Sequence, residues 1–376
     1  MKVLYLGHYR EGTGWSQAAI DLILALDSVG VDVACRNIML TQRTGNSLPE
    51  RILELEQKDV SNTTHCIQHL LPHHLVGTQR FKKNISYLVS ESTSLITTPW
   101  FTHLQQMDEV WTANSQLRNS LANDKVFESE DRVRVVPHAF SLGKYSKKYP
   151  PISIRGSDYK FKFYFIGDLN DRKNLSSIIR SFHSEFDRSE PVALILKVKK
   201  HGLSPEETNS VVREMCDYIK SRLRLYPSME DYHQEVIISD VMDDDGICAL
   251  HAYGDCFVCP SHGEGWSIPS FDAMCFGNTP ICSDFGGPQE FLGKAQKYSG
   301  TLVGGCYSVC DTGDSVFPQL LTGREDWFTP SEVEIKQAMR YYYENKDNVD
   351  RTAGMKTAEQ FSYKSVGNLM KEYLGE

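Results

Sequence analysis

Short apolar runs alternate with longer helical segments from the start of the chain. Residues 2–6 form an apolar run of strand length, residues 7–14 are rich in glycine, and residues 15–28 have the length and apolar content of a helix. Residues 31–39 then return to a strand pattern. This order predicts a βαβ unit at the start of an α/β domain.

The same alternation continues along the chain. Further strands are predicted at residues 65–70, 85–89, 109–112, 162–166, 192–198, 235–239, 256–259 and 279–283. Helices are predicted from about residue 175, at 206–225, at 247–253, from 268 or 269, and in the last stretch after Ser331, which is a helix-capping residue. Since the chain has 376 residues, we expect two α/β domains, each with its own core.

Composition and charge argue against several classes of function. The net charge of −9 argues against a nucleic-acid-binding protein, whose footprint would be basic. The first apolar run is too short for a signal peptide, and no stretch approaches the roughly 20 apolar residues of a membrane span. We therefore expect a cytoplasmic protein with reduced thiols. A basic patch at Lys144, Lys147 and Lys148 could still bring it to a membrane as a peripheral protein.

Residues 255–274 contain the strongest candidate site. A strand at 256–259 is followed by a loop rich in glycine and then by a helix, for which Ser267 is the expected N-cap. This order places helix N–H groups at the carboxyl edge of a sheet, where a diphosphate can bind. Glu264 and Asp272 flank the site and would accept hydrogen bonds from hydroxyl groups. A ligand with both chemistries is a nucleotide sugar; the structural alternative is that the acids only complement the helix dipole.

A family resemblance supports the ligand-binding interpretation. Residues 264–269, Glu-Gly-Trp-Ser-Ile-Pro, followed by Asp272, resemble the E-G-F-G-L-P-x-x-E signature of the family-four retaining glycosyltransferases of GT-B fold. Asp272 replaces the second glutamate and is one methylene shorter. Trp266, where the family often has phenylalanine, would lie beside the sugar.

Three further segments resemble the same family. Residues 283–290 resemble its S-D-x-G-G-x-x-E loop beside the donor sugar, and residues 167–174 resemble G-R-L-x-x-x-K-G. In the second motif Lys173 matches the lysine, whereas Asp168 replaces the arginine and Arg172 is a neighbouring substitute. Residues 87–115, which include Glu91, resemble the acceptor domain of a subset of these enzymes.

The resemblance implies a fold and a domain plan. We expect α/β architecture of GT-B type, with two Rossmann-like domains facing each other across a cleft. The acceptor-side domain would span residues 1–148, and the nucleotide-sugar-binding domain residues 149–356. Residues 357–376 would form a C-terminal helix that crosses back to the first domain.

The resemblance also implies a function. We expect a retaining hexosyltransferase that uses a UDP- or GDP-linked sugar and a hydroxyl acceptor, such as a glycan or glycolipid intermediate, with no cofactor and no metal. The expected catalytic residues are Glu264, Lys173 and Glu91. The expected donor-binding residues are Asp272, Arg172, Gly265, Trp266, Ser267, Ile268, Gly286, Gly287, Glu290, Gly12, Gly14 and Lys197.

Several alternatives stay open at this point. The fold could carry a sugar-nucleotide epimerase or a phosphorylase, or a degenerate donor-binding subunit without turnover. The loop around Gly12 and Gly14 suggests a nicotinamide enzyme only weakly, because the third glycine of that fingerprint is missing. Asp243 and Asp245 form a D-x-D that could bind a metal, although a helix cap is the favoured interpretation. The C-x-x-C at residues 256–259 lies on a strand, where its two thiols face opposite ways.

Overall fold

The computed structural model describes residues 1–40, 48–293, 299–309 and 326–375. The chain divides into two compact units. The first contains Met1–Lys144 and Ala358–Glu376, and the second contains Tyr145–Ser308 and Trp327–Thr357. Our sequence-based boundary lay at residue 148, four residues after the end of the first segment.

The first unit is built on a six-stranded parallel sheet. Its strand order is β2-β1-β3-β4-β5-β6. The strands are β1 (Lys2–Gly7), β2 (Asp32–Asn37), β3 (His65–His69), β4 (Lys83–Leu88), β5 (Glu109–Thr112) and β6 (Val133–Val135). The predicted strands of this half are therefore confirmed to within a few residues, and β6 is an additional edge strand.

Helices connect these strands and cover the sheet. They are α1 (Gly14–Ser28), α2 (Glu50–Gln57), α3 (Trp100–Leu104), α4 (Ser115–Asn123) and the short α5 (Gly143–Ser146), which lies where the chain passes from one unit to the other. Thr13 and Asn114 cap α1 and α4 by accepting backbone N–H groups through their side chains. Leucine, valine and aromatic side chains from these elements form a buried core beside the sheet.

The second unit contains another parallel six-stranded sheet with a different order. Its strands run β12-β11-β10-β7-β8-β9. They are β7 (Phe161–Asp168), β8 (Val192–Lys199), β9 (Val236–Ile238), β10 (Cys256–Cys259), β11 (Ile281–Ser283) and β12 (Thr301–Val303). A separate two-stranded ribbon is formed by β13 (Gly305–Val309) and β14 (Asp326–Pro330).

The remaining helices follow the same alternation. They are α6 (Leu175–Glu185), α7 (Pro205–Leu223), α8 (Asp244–Tyr253), α9 (Ile268–Cys275), α10 (Pro288–Phe291), α11 (Glu332–Glu344), α12 (Ala353–Ala358) and α13 (Tyr363–Leu374). Ser331 caps α11, as the sequence predicted. Among the described helices, none combines the length and the apolar composition that crossing a bilayer would require.

The C-terminal helix α13 packs on α1 of the first unit. A Cβ atom at Gly367 would lie 2.3 Å from the carbonyl oxygen of Ala25, so only glycine allows the two backbones to approach this closely. The hydroxyl group of Tyr363 donates a hydrogen bond to Asp21 on α1. A backbone bridge between Phe140 and Ser362 adds a further attachment. The end of the chain is therefore part of the first unit.

Candidate active site

The strand order of the second sheet reverses between β7 and β10. The chain adds β8 and β9 on one side of β7 and then continues with β10, β11 and β12 on the other side. In an open parallel sheet, ligands bind outside the carboxyl ends of the two strands at such a reversal. The segments that leave β7 and β10 are therefore where a ligand is expected.

These two segments are tied together through their backbones. After β7, the side chain of Asn170 accepts a hydrogen bond from the N–H of Lys173, which closes a 3-10 turn. Asn174 adopts a left-handed conformation with φ 52°, and its side-chain amide donates to the carbonyl of Pro260 after β10, at 3.0 Å. The N–H of His262 donates to the carbonyl of Arg172 at 2.8 Å. The loops thus form one connected structure.

Glu264 lies between two cations at this point. Its carboxylate is 2.7 Å from the ammonium of Lys173 and 3.5 Å from the guanidinium of Arg172, and the residue is only 6% exposed. Burial alone would raise the pKa of Glu264, but the charges of Lys173 and Arg172 and the hydrogen bond from Lys173 bring it below its ordinary value. Glu264 is therefore ionised at neutral pH.

The glycine loop at residues 286–287 lies directly against the backbone of the Glu264 loop. A Cβ at Gly286 would lie 2.3 Å from the carbonyl oxygen of Glu264, and one at Gly287 would lie 2.2 Å from Cα of Trp266. The N–H of Gly287 donates to the carbonyl of Glu264 at 2.9 Å. Close packing of two loop backbones explains why both positions hold glycine.

Trp266 lies in a buried aromatic cluster, and Ser267 has a backbone conformation that differs from that of the predicted N-cap. Trp266 is 2% exposed and packs against Phe271 and Phe291, at ring distances of 6.0 and 5.5 Å. Ser267 precedes α9 as predicted, but its predicted capping role is wrong. Its backbone is left-handed with φ 69°, and its hydroxyl lies 2.7 Å from that of Ser270, so it does not accept a helix N–H.

Asp272 is held by Tyr145, which lies in a distant part of the sequence. The hydroxyl of Tyr145 donates to the Asp272 carboxylate at 2.6 Å. Burial raises the pKa of Tyr145, and the negative charge of Asp272 raises it further, so the phenol keeps its proton and remains a donor. The two residues are 127 positions apart, and no local pattern could have related them.

The other predicted donor residues of this unit lie around the same edge. Gly265 is buried, and Ile268 is the first residue of α9. Glu290 lies in α10 and is 8% exposed. Lys197 is near the end of β8, and its pKa is lowered by burial and by the charge of Lys199. Their roles in binding remain predictions.

Three predicted residues belong to the first unit. Gly12 has φ 62°, a left-handed conformation that glycine adopts without strain, and Gly14 is the first residue of α1. Glu91 lies three residues after the end of β4 and is half-buried. These positions are consistent with ligand-facing loops at the carboxyl end of the first sheet, and their roles also remain predictions.

The two acidic residues considered as metal ligands, Asp243 and Asp245, both have protein partners. Asp243 caps α8 by accepting the N–H of Gly246 at 2.8 Å, which confirms the capping interpretation. Asp245 pairs with Lys147 at 2.6 Å on the surface.

Sequence reasoning also missed an aromatic contact beside the Glu264 loop. The ring of His262 stacks on Trp327 of β14, with centroids 5.2 Å apart and an interplanar angle of 19°. The carbonyl of Phe328 accepts from Nδ1 of His262, and the N–H of Phe328 donates to the His262 carbonyl. The ribbon is therefore fixed to the loop that carries Glu264.

Comparison with solved structures places the fold in the GT-B class. HepE of Anabaena in complex with UDP superposes with a TM-score of 0.64 at 13% identity, over 100% of this chain and 99% of that chain. The sucrose-phosphate synthase of Thermosynechococcus elongatus gives 0.62 at 14% identity, over 100% and 98%. The E. coli trehalose-6-phosphate structure bound with UDP-2-fluoro glucose gives 0.64 at 10% identity, over 100% and 99%. At these identities the likeness shows the fold.

One segment of the sequence matches a family model. Residues 219–309 match the family model of the glycosyl transferases group 1, and this segment contains Glu264, Asp272 and the glycine loop. No curated protein sequence matches the chain. The family model thus confirms the resemblance to glycosyltransferases over residues 219–309, and the structural likeness confirms the GT-B fold along the whole chain.

Proposed function

We propose that this protein is a retaining, metal-independent glycosyltransferase that transfers a hexose from a UDP- or GDP-linked donor to a hydroxyl acceptor, such as a glycan or glycolipid intermediate. The observation that carries the proposal is the buried Glu264 beside Lys173 and Arg172 at the reversal point of the second sheet. HepE is known in complex with UDP and with UDP-glucose, which supports a UDP-linked donor as the first to test.

Each part of a nucleotide sugar has a matching group in this site. The diphosphate would bind to Lys173 and Arg172, which are positively charged, near the N-terminal end of α9, where the helix dipole favours an anion. Glu264 would accept hydrogen bonds from the sugar hydroxyls, and Asp272 from the ribose hydroxyls. In this assignment, the two cations would bind the anionic part of the donor, and the buried acid would bind its hydroxyl groups.

The reaction follows from the same groups. The bond between the anomeric carbon and the phosphate oxygen breaks, and the acceptor oxygen forms its bond on the same face of the ring. The acceptor proton passes to the leaving phosphate, so no protein nucleophile is required. Lys173 and Arg172 would stabilise the negative charge that develops on the diphosphate, which is the largest electrostatic demand of the step. Glu91 would orient the acceptor.

Metal independence is supported by the partners of the acidic motif. Asp243 and Asp245 are engaged in a helix cap and a surface ion pair, whereas Lys173 and Arg172 already supply positive charge at the candidate site. In this proposal, Lys173 and Arg172 would supply the charge stabilisation that a metal ion supplies in other transferases.

Thermal unfolding with nucleotide sugars tests the donor. UDP, GDP, ADP and dTDP sugars are each added with EDTA or with Mn²⁺; a ligand at 100 times its Kd stabilises the protein by about 2.7 kcal/mol. We expect stabilisation by a UDP or GDP sugar in EDTA. Stabilisation only with Mn²⁺ would refute metal independence, and stabilisation without transfer to any hydroxyl acceptor would favour the degenerate-subunit alternative.

A substitution at Glu264 tests the catalytic assignment. Glu264→Gln weakens a charge-assisted hydrogen bond of about 1.5–3 kcal/mol, so turnover should fall at least about 10-fold. Glu214→Gln, an exposed change on α7, is the matched control and should retain full turnover. Unchanged turnover in Glu264→Gln would remove this residue from the site. The anomeric configuration of the product, determined by NMR, tests retention.

A further inference from the structure

The ribbon of β13 and β14 forms a sheet of its own, which enters the chain between β12 and α11. A two-stranded ribbon is only marginally stable by itself, so its conformation depends on what it packs against. Successive residues of a strand point to opposite faces. Trp327 and Phe328 of β14 therefore place one aromatic ring on each face of the ribbon.

Trp327 and Phe328 both attach the ribbon to the Glu264 loop. Trp327 does so through its ring, which stacks on His262, two residues before Glu264. Phe328 does so through its backbone: its N–H donates to the His262 carbonyl at 3.1 Å, and its carbonyl accepts from Nδ1 of His262 at 2.9 Å. Burial lowers the pKa of His262, so its ring is neutral at pH 7 and the attachment does not depend on charge.

The ring of Phe328 also attaches the ribbon to the glycine loop. It stacks on Phe285, the residue before Gly286, with centroids 6.0 Å apart and an interplanar angle of 7°. Both residues are buried. Tyr307 of β13 completes the cluster, with its ring edge-on to those of Phe285 and Phe328 at 6.0 and 5.6 Å. One residue of the ribbon therefore contacts both loops of the candidate donor site.

These two loops are the ones that would hold the sugar of the donor. In the proposed function, Glu264 accepts hydrogen bonds from the sugar hydroxyls, and the glycine loop lies beside the sugar. The diphosphate would instead bind Lys173 and Arg172. Lys173 is fixed by a turn of its own, in which the side chain of Asn170 accepts its N–H. A ribbon that joins the two sugar-binding loops therefore affects the sugar more than the diphosphate.

We propose that the ribbon is a positioning element of the donor site, in which Phe328 and Trp327 keep the Glu264 loop and the glycine loop at the spacing that the sugar requires. Resting on the proposed function, this role extends the donor site to residues outside the segment 219–309 that matches the family model. Phe328 and Trp327 act through Phe285 and His262, and loosening either contact lowers the affinity for a nucleotide sugar more than the affinity for its nucleoside diphosphate.

Calorimetric titration separates the sugar from the diphosphate. UDP-glucose is compared with UDP, and GDP-mannose with GDP, in the wild type, Phe328→Leu and Trp327→Leu. In both variants the Kd of the nucleotide sugar should rise at least about fivefold relative to that of its nucleoside diphosphate. Trp327→Phe keeps a ring against His262 and should restore the wild-type ratio. Tyr343→Leu is the matched control and should leave the ratio unchanged, because Tyr343 is also partly buried but its ring contacts Phe161 at the amino end of β7.

Amide hydrogen exchange tests the coupling of the loops without any ligand. The N–H of Gly287 donates to the carbonyl of Glu264, so exchange in residues 284–291 reports whether the two loops stay together. This exchange should be at least about fivefold faster in Phe328→Leu than in the wild type, and unchanged in Tyr343→Leu.

Two results would overturn the proposal. Equal exchange rates in Phe328→Leu and Tyr343→Leu would mean that the ribbon does not couple the loops. An equal loss of affinity for the nucleotide sugar and its nucleoside diphosphate would mean that the ribbon supports the fold in general and not the sugar. Failure of the proposed function gives a different result: the wild type would then bind no nucleotide or nucleotide sugar, and the exchange rates would still decide whether the ribbon couples the loops.

Discussion

Lys173→Met removes the closest cation from Glu264 and should lower both stability and nucleotide affinity. The two side chains are 13% and 7% exposed, so water compensates little for the lost contact. Removing one partner of a buried pair costs about 3–5 kcal/mol. Because Arg172 remains 3.5 Å from the same carboxylate, we expect a smaller loss in the free energy of unfolding, about 2–3 kcal/mol.

Urea denaturation of four variants checks this magnitude. The double variant Lys173→Met with Glu264→Gln should be more stable than the sum of the single changes predicts, by about 1–2 kcal/mol, because no carboxylate is then left without its cation. Lys199→Met is the matched control: Lys199 pairs with Asp168 at 3.8 Å, but both side chains are more than half exposed, and its removal should cost less than about 1 kcal/mol. Equal losses for Lys173→Met and Lys199→Met, or additive effects in the double variant, would refute the reasoning.

The same variant separates phosphate binding from loop stability. If Lys173 contacts the diphosphate, Lys173→Met should weaken UDP at least about 10-fold, which corresponds to roughly 1.4 kcal/mol, and leave the affinity for uridine unchanged. Calorimetric titration of both ligands measures this difference. An equal loss for UDP and uridine would mean that Lys173 only supports the loop.

The pH dependence of stability has a defined sign. The folded-state pKa of Glu264 lies below the ordinary glutamate value of 4.5, so the stability that its charge contributes is complete above that value and is lost as the pH falls through the folded-state pKa. The difference in unfolding free energy between the wild type and Glu264→Gln should therefore be constant from pH 8 to 6 and shrink below about 4.5. A difference that grows on acidification would contradict the assignment.

Three further changes test other parts of the second unit and its junction. Tyr145→Phe removes a hydrogen bond of about 1 kcal/mol to Asp272 on α9. In calorimetric titrations, the ratio of the affinities for UDP and 2′-deoxy-UDP should fall about fivefold. An unchanged ratio would exclude an orienting role for Tyr145. Gly287→Ala should lower the unfolding free energy measured in urea by at least about 2 kcal/mol, because the new Cβ would overlap the backbone of Trp266. The control Gly143→Ala has open space around the new Cβ and should lower it by less than about 1 kcal/mol. Asp243→Ala removes a helix cap and should lower the unfolding free energy by about 1 kcal/mol. The affinity of this variant for UDP should be the same in EDTA as in Mn²⁺. An affinity that falls only in the presence of Mn²⁺ would restore the metal interpretation.

The sequence predicted elements well where the signal is local. The strand at 256–259 has the limits that its apolar run indicated, and the caps at Asp243 and Ser331 follow from residue types that bond to their own helix. Strand order is a different kind of information, because it depends on pairing between distant segments. The reversal points of the two sheets could therefore not be read from periodicity.

The errors and omissions have the same origin. Ser267 is a residue type that commonly caps helices. Its neighbour Trp266 is in close backbone contact with Gly287, and Ser267 itself is left-handed, with its hydroxyl group facing that of Ser270. His262 and Trp327 are distant in the sequence, and only the packing of the ribbon on the Glu264 loop brings their rings together. Tertiary contacts, which leave no periodic trace, decide both cases.

Two departures from the family pattern, those at residues 168 and 272, are accompanied by side chains that offset them. Asp168 stands where the family has arginine, and the guanidinium of Arg172 lies beside Glu264 instead. Asp272 is one methylene shorter than the usual glutamate, and the hydroxyl of Tyr145 holds its carboxylate at 2.6 Å. The buried acid thus keeps two cations and a backbone fixed by close glycine contacts, which is the arrangement that the proposed donor site requires, and transfer to an acceptor is what separates an active transferase from a degenerate subunit.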